Sequence, residues 1–296
     1  MRADLCDDSV SHDLSAWQWA EGVFGAASLG DKRLTARLVV LGAQCAARPS
    51  DSLPRACGDW ASTKGAYRFI ENDRVGKEAI LQPVYQCAAR RAAGRPTVLC
   101  VQDTTTLTFP TAREAAADFG YVNDTDVPGM MVHSTLALRE NGVALGLLDV
   151  RMWARPLADR GKKHLRKQRP IEQKESVRWL HGIDTAGEAM TASVDEAQRP
   201  RLIHVMDREG DIHEVFERIA GRGEGAVIRA TQNRRVRTAD GALSLVYKRV
   251  SEQEPLGRRV VNVPRRGSRK AREAVTVIRA CRAELAPAEP YHKGRR

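Results

Sequence analysis

Two short apolar runs decide most of what this chain can fold into: Thr97-Val98-Leu99-Cys100-Val101 and Arg201-Leu202-Ile203-His204-Val205-Met206. Runs of this length and composition are typical of buried strands. The first gives way to Gln102-Asp103-Thr104-Thr105, the second to Asp207. Between them, Met130 to Arg139 and Val143 to Trp153 read as two further strands. They are joined by Glu140-Asn141-Gly142, and Asn-Gly is a strong hairpin signal. Glu172 to Ile183 reads as a helix. Ile212 to Ala220 reads as another, with Val215, Phe216 and Ile219 on one side, and Gly225 to Ala230 as a last strand. The order strand, hairpin, helix, strand, helix, strand predicts an α/β layer architecture, a mixed sheet flanked by helices.

Upstream of Arg95 the pattern is helical. Asp13-Leu14-Ser15 can cap a helix through Trp17, Trp19, Ala20, Val23 and Phe24. Gly30-Asp31 breaks the chain and Asp31 can cap the next helix, which sets Lys32, Arg33 and Arg37 close together over an apolar face of Leu34, Leu38 and Leu41. Further helices are expected over Ala56 to Phe69 and Lys77 to Arg91, which makes a small helical domain. The expected division is 1–92 helical, 93–232 sheet-forming and 233–296 basic and β-leaning, with strand-like runs at Val260 to Val263 and Ala274 to Ile278. Gly161 to Arg169 reads as a basic loop. Glu284 to Arg296 shows no periodicity and is expected to lack a packed partner.

Charge is concentrated. Residues 229–296 hold 18 Lys/Arg against 6 Asp/Glu, whereas residues 1–228 hold 30 against 31. A dense positive segment suits a polyanion, because neutralised phosphates release counterions; a solvated basic tail is the plainer alternative. No run of 18 apolar residues suggests a membrane span, and the first fifteen residues lack the apolar stretch of a secretory signal. The six cysteines are scattered with no CxxC pair. They read as reduced thiols of a cytoplasmic protein.

Asp103 and Asp207 stand out because each follows a short apolar strand. Carboxylates at the ends of adjacent strands can converge on a divalent ion that prefers oxygen ligands. Two such ions activate a water or a 3′-hydroxyl and stabilise the leaving oxygen in phosphodiester chemistry. The bland alternative is that each aspartate caps the turn after its strand.

Seven segments carry a resemblance: WAEGVFGAASLGDKRLTARL (19–38), GAYRFIEN (65–72), VQDTTTLTF (101–109), VHSTLAL (132–138), LGLLDVRMWARP (145–156), QKESVRWL (173–180) and VMDREGDIHEVF (205–216). A shorter one, VIRATQNRR (227–235), follows. In order and spacing the chain resembles DDE transposases of the Tn-five-like group in the IS-four family. The resemblance implies an RNase H-like catalytic core preceded by a helical domain that grips transposon-end DNA. It also implies Mg²⁺ or Mn²⁺ as cofactor, cut-and-paste transposition, and a dimer working on two terminal repeats. Asp103 matches the family's first catalytic acid and metal ligand, and Asp207 its second. Lys32, Arg33, Arg37 and Arg68 fall in the DNA-gripping domain. Tyr67 and Phe69 are expected in its core rather than on DNA. Glu209 and Asp211 are expected to support the site, their charge balanced by Arg208. Glu175, Arg178 and Trp179 form a matched motif to which chemistry assigns no role, and His133 and His213 lack metal-ligand spacing.

The family's third acid is a Glu in a motif Y-x2-R-x3-E-x6-K after a β-rich insertion, and this chain has no such motif. Glu273, Glu284 and Glu289 are weak replacements. The expectation is a chain that stops within a partial insertion, lacks the dimerisation helices and binds DNA without efficient cleavage. Alternatives are a DNA-end binder competing with a full-length transposase, and a nuclease of the same fold; the N-terminal motifs speak against the last.

Overall fold

The computed structural model describes residues 14–110, 119–122, 127–156, 170–238 and 241–287. The expected loop at Gly161 to Arg169, together with Cys6, Glu289 and Tyr291, lies outside the described residues. The chain forms two compact units, Met1–Arg229 and Ala230–Arg296.

Five helices open the first unit. In α1 (Ala16–Phe24) a capping box closes the N-terminus: Gln18 N donates to Ser15 Oγ at 3.2 Å, and Ser15 N donates to Gln18 Oε1 at 2.9 Å. Asp31 caps α2 (Lys32–Ala47) by accepting from Arg33 N at 2.8 Å. The single helix expected over Ala56 to Phe69 is instead two, α3 (Leu53–Cys57) and α4 (Trp60–Ile70). The break is Gly58, whose φ of 83° is open to glycine and costly for other residues. Asp59 then restarts the helix by accepting from Ser62 N. Ala27, Leu29, Leu38 and Phe69 make one small core here, and Ala20, Val39 and Ala43 another. α5 (Lys77–Ala92) links this region to the sheet.

Six strands follow: β1 (Thr97–Thr108), β2 (Gly120–Tyr121), β3 (Pro128–Leu138), β4 (Ala144–Trp153), β5 (Arg201–Met206) and β6 (Gly225–Ile228). They run β2-β3-β1-β5-β6, with β4 pairing the same edge of β3 as β2, opposite β1. β1 is antiparallel to β3 and parallel to β5, and β5 is parallel to β6. The β3–β4 hairpin turns at Gly142, with φ 87°, where Val143 N donates to Asn141 Oδ1. The fold is therefore α/β with a mixed sheet, as its sequence pattern implies. One boundary differs. β1 does not stop before Asp103 but continues to Thr108, because β3 goes on pairing with it through Thr108↔Gly129.

One sheet face is closed. Val98, Cys100, Ala137, Leu148 and Leu202 pack there against Ala88, Ala89 and Ala92 of α5 and Ala186 and Met190 of α6 (Val177–Ser193). Trp179, Leu180 and Ile183 of α6 continue this core to Met206 and to Val215 and Ile219 of α7 (His213–Gly221). The expected helix from Glu172 begins five residues late, after a 3-10 turn at Ile171–Gln173. On the opposite face, Leu99, Val101, Val132, Leu136, Ile203 and Val205 are only half-buried.

The second unit contains β7 (Arg235–Arg237), β8 (Leu243–Leu245), α8 (Val246–Ser251), β9 (Gly257–Val263), β10 (Arg272–Ile278) and β11 (Glu284–Leu285). β9 and β10 form an antiparallel pair whose Val260 and Val275 are exposed. Glu284–Leu285, expected to be without a partner, pairs with β7 through Glu284↔Arg237 and Leu285↔Val236. Two-residue strands carry no periodicity, so this pairing is invisible in the local sequence.

Candidate active site and nucleic-acid interface

The last parallel pair between β1 and β5 is Gln102↔Met206. Asp103 follows on β1, and Asp207 is the first residue beyond β5, so each lies one residue past that last pair. Side chains alternate along a strand, and Gln102 and Met206 are buried on the closed face. Asp103 therefore belongs to the open face, and both aspartates are exposed. Asp207 Oδ1 accepts from Glu209 N at 2.7 Å, which starts a 3-10 turn over Arg208–Gly210. The turn-capping role is thus real for Asp207 and occupies one of its oxygens. No hydrogen bond or ion pair holds the Asp103 carboxylate among the described residues.

The two exposed carboxylates offer the hard oxygen donors that Mg²⁺ or Mn²⁺ takes. Among the described residues, no group of three or more His, Cys, Asp or Glu gathers where a metal ion could be held. Glu273 lies on β10 and Glu284 on β11, both in the second unit.

Arg178 is the structural hub beside the acids, a role its sequence motif did not disclose. It sits at the start of α6 with its side chain 11% exposed. Its Nε donates to Thr104 Oγ1 at 2.8 Å, Nη1 to the Glu175 carbonyl at 3.0 Å, and Nη2 to Glu209 Oε2 at 2.5 Å. The guanidinium also lies over the rings of Trp153 and Trp179, at 5.8 and 5.6 Å from their centroids. Burial pulls its pKa below the ordinary arginine value, against the opposing pull of Glu209 and Glu175. The charge partner of Glu209 is thus Arg178 rather than Arg208. Asp211 is buried. Glu175 in turn takes a two-pronged bond from Arg155, Nε to Oε1 at 2.6 Å and Nη2 to Oε2 at 2.7 Å. That fork raises the Arg155 pKa. His133, which lacked ligand spacing, is fully buried and hydrogen-bonded rather than exposed. His213 pairs with Glu217 at 3.2 Å on α7.

In the helical region, Lys32 and Arg33 are exposed in the first turn of α2, and no acidic residue joins them there. Cations at the positive end of a helix are unfavourable by themselves and suit a bound anion. Arg37 is half-buried, its guanidinium lying against Gly65 of α4, where a Cβ would meet Arg37 Cζ at 3.0 Å. Arg68 is exposed on α4. Phe69 is buried as expected, but Tyr67 is 44% exposed. The buried positions of α4 are Thr63, Ala66 and Phe69, so helical periodicity turns Tyr67 outward with Trp60, Lys64 and Arg68.

Among the described residues, no helix is long and apolar enough to cross a membrane. Residues 16–75 match a family model described as transposase DNA-binding. That stretch spans α1 to α4, so the helical region bearing Lys32, Arg33, Arg37 and Arg68 is similar to the DNA-binding part of transposases and supports a DNA-binding role for the chain.

Proposed function

We propose that the chain is a DNA transposase of the DDE type. The helical region would bind transposon-end DNA, and the sheet would have an RNase H-like catalytic role. The observation that carries the reading is that Asp103 and Asp207 each lie one residue past the last registered pair of two adjacent parallel strands, in a chain whose helical region matches the DNA-binding model. The sheet order, with a β3–β4 hairpin antiparallel to β1 and two parallel strands on its other side, supports the RNase H-like assignment. Asp103 and Asp207 would hold Mg²⁺ or Mn²⁺, which supplies Lewis-acid activation of the attacking oxygen and stabilises the leaving one. Lys32, Arg33, Arg37 and Arg68 would contact DNA phosphates or bases. A homodimer on paired terminal repeats is part of this reading.

A second reading is a transposon-end binder that competes with a complete transposase. Its support is that no third acid gathers with the other two among the described residues. One experiment tests both. The purified chain is mixed with DNA carrying its element's terminal repeats, with and without Mn²⁺, and both retardation and nicking are scored. Retardation with nicking lost in Asp103→Asn supports the enzyme. Retardation without nicking supports the competitor. Failure to prefer terminal repeats over random DNA refutes both.

A further inference from the structure

Behind the two acids, on the closed face of the sheet, polar side chains form one continuous run. Arg178 Nε bonds Thr104 Oγ1 at 2.8 Å, and Thr104 Oγ1 lies 2.8 Å from His133 Nδ1. His133 Nε2 lies 3.2 Å from Gln102 Oε1, and Gln102 Nε2 lies 3.5 Å from His204 Nδ1. His204 Nε2 lies 2.8 Å from Glu224 Oε2. His133 and His204 are 0% exposed and Gln102 2%, so water does not complete their hydrogen bonds from outside.

With both imidazoles neutral, the two ends set every proton between them. A Glu224 carboxylate only accepts, so His204 Nε2 must carry hydrogen. Its Nδ1 then accepts, and Gln102 must present its amide NH₂ there. That turns Gln102 Oε1 toward His133, whose Nε2 must therefore carry hydrogen. His133 Nδ1 then accepts from the Thr104 hydroxyl, which leaves the Thr104 oxygen free to accept from Arg178. Arg178 only donates, so the far end agrees. All five bonds run the same way, from a cation to an anion.

We propose that this one-way chain is the positioning device of the Asp103–Asp207 pair. Gln102, Thr104, His133 and His204 act through Arg178 to set the spacing of the two carboxylates. Gln102 and Thr104 flank Asp103 on β1. Arg178 reaches past Thr104 to Glu209, two residues beyond Asp207. One guanidinium thus ties β1 to the turn that follows β5, and the buried chain behind it fixes its partner Thr104 in one orientation. Trp179, edge-on to His133 at 4.7 Å, and Gly182, which leaves room for Gln102, close the chain from α6. The inference rests on Asp103 and Asp207 being metal ligands.

The test joins two measurements on the whole chain. Nitrogen-15 NMR of the histidine side chains reads the tautomers, and Mn²⁺ titration followed by electron paramagnetic resonance reads the acid pair. Expected are the Nε2–H tautomer at both His133 and His204, and Mn²⁺ binding that Asp103→Asn abolishes. Thr104→Val should lower Mn²⁺ affinity about 10-fold or more, the scale on which residues supporting metal ligands act. Thr104→Ser keeps the hydroxyl and should restore binding. If Thr104→Val does not melt cooperatively, Arg178→Lys, which cannot donate in three directions from one plane, is read instead with the same expectation. An Nδ1–H tautomer at either histidine overturns the chain. A cooperatively folded Thr104→Val or Arg178→Lys with wild-type Mn²⁺ affinity overturns the positioning role. No Mn²⁺ binding by the wild type overturns the metal reading beneath it, and the tautomers then tell that failure apart from a failure of the chain.

Discussion

Replacing Gly182 by alanine sets two opposed effects against each other at one atom. Gly182 lies inside α6, where alanine is favoured over glycine by about 1 kcal/mol. The added Cβ, however, would lie 2.6 Å from Gln102 Oε1, 2.7 Å from Thr135 Oγ1 and 2.9 Å from Gln102 Cδ. Gln102 is 2% exposed and Thr135 0%, so neither swings out into solvent. Overpacking of this kind costs about 1–3 kcal/mol. If Gln102 gives way, a buried hydrogen bond to His133 or His204 opens as well, for about 1–3 kcal/mol more. With the hydrogen bond opened the clash outweighs the helix preference, and a net loss of about 1–5 kcal/mol is expected. For a unit of this size that lowers Tm by about 2–4 °C per kcal/mol. Gly221→Ala is the matched control, because Gly221 ends α7 with nothing within 4 Å of its Cβ position. It should leave Tm unchanged or raise it. Thermal unfolding followed by circular dichroism measures both. A Gly182→Ala Tm at or above wild type would refute the claim that α6 is held off the sheet by Gln102 and Thr135.

Further outcomes are expected. Burial first, then Arg178 and Arg151, push the His133 pKa down to about 3. The folded state then refuses a proton that the unfolded chain accepts below about pH 6.5, so stability is lost as pH falls through that window by about 1.4 kcal/mol per pH unit. Urea titrations from pH 7 to pH 4 should show a shallower slope for His133→Gln than for wild type; equal slopes would contradict it. Tyr85 is 4% exposed and its Oη accepts from Val150 N at 2.8 Å, so Tyr85→Phe strands a buried N–H and should cost about 1–3 kcal/mol in urea unfolding. An unchanged midpoint would show that the N–H finds another partner. Arg68→Ala should weaken DNA binding and reduce the slope of log K against log salt by about 0.9, the loss of one phosphate contact; a slope equal to wild type would remove Arg68 from the backbone interface.

The order of elements along the chain could be read because its signals are local: apolar runs at Thr97 and Arg201 and Asn141-Gly142 between them mark the parallel strands and the hairpin, whereas the two-residue β2 gave no signal. Asp103 and Asp207 stand out in the sequence for the same reason, each adjoining such a run. The extension of β1 to Thr108 was not, since Thr104 to Thr108 is polar and gains its strand character from pairing with β3. Nor was the chain from Arg178 to Glu224. Its members come from four elements and one loop, and no spacing of histidines marks two rings that meet only through a glutamine. Tyr67 was misplaced because an aromatic residue next to a buried Phe69 looks like core until the register of α4 is fixed.

β1 is a strand of two halves. From Leu99 to Gln102 it is laced to a neighbour on each edge, whereas from Asp103 to Thr108 it is laced on one edge alone among the described residues. Amide hydrogens in the first half should exchange with deuterium only when the whole unit opens, and every second amide in the other half should exchange far sooner. Asp103 stands on that frontier. Its backbone is anchored from behind, while ahead of it one edge of the strand pairs with no other strand among the described residues, so that stretch opens without any sheet pairing on that edge having to break.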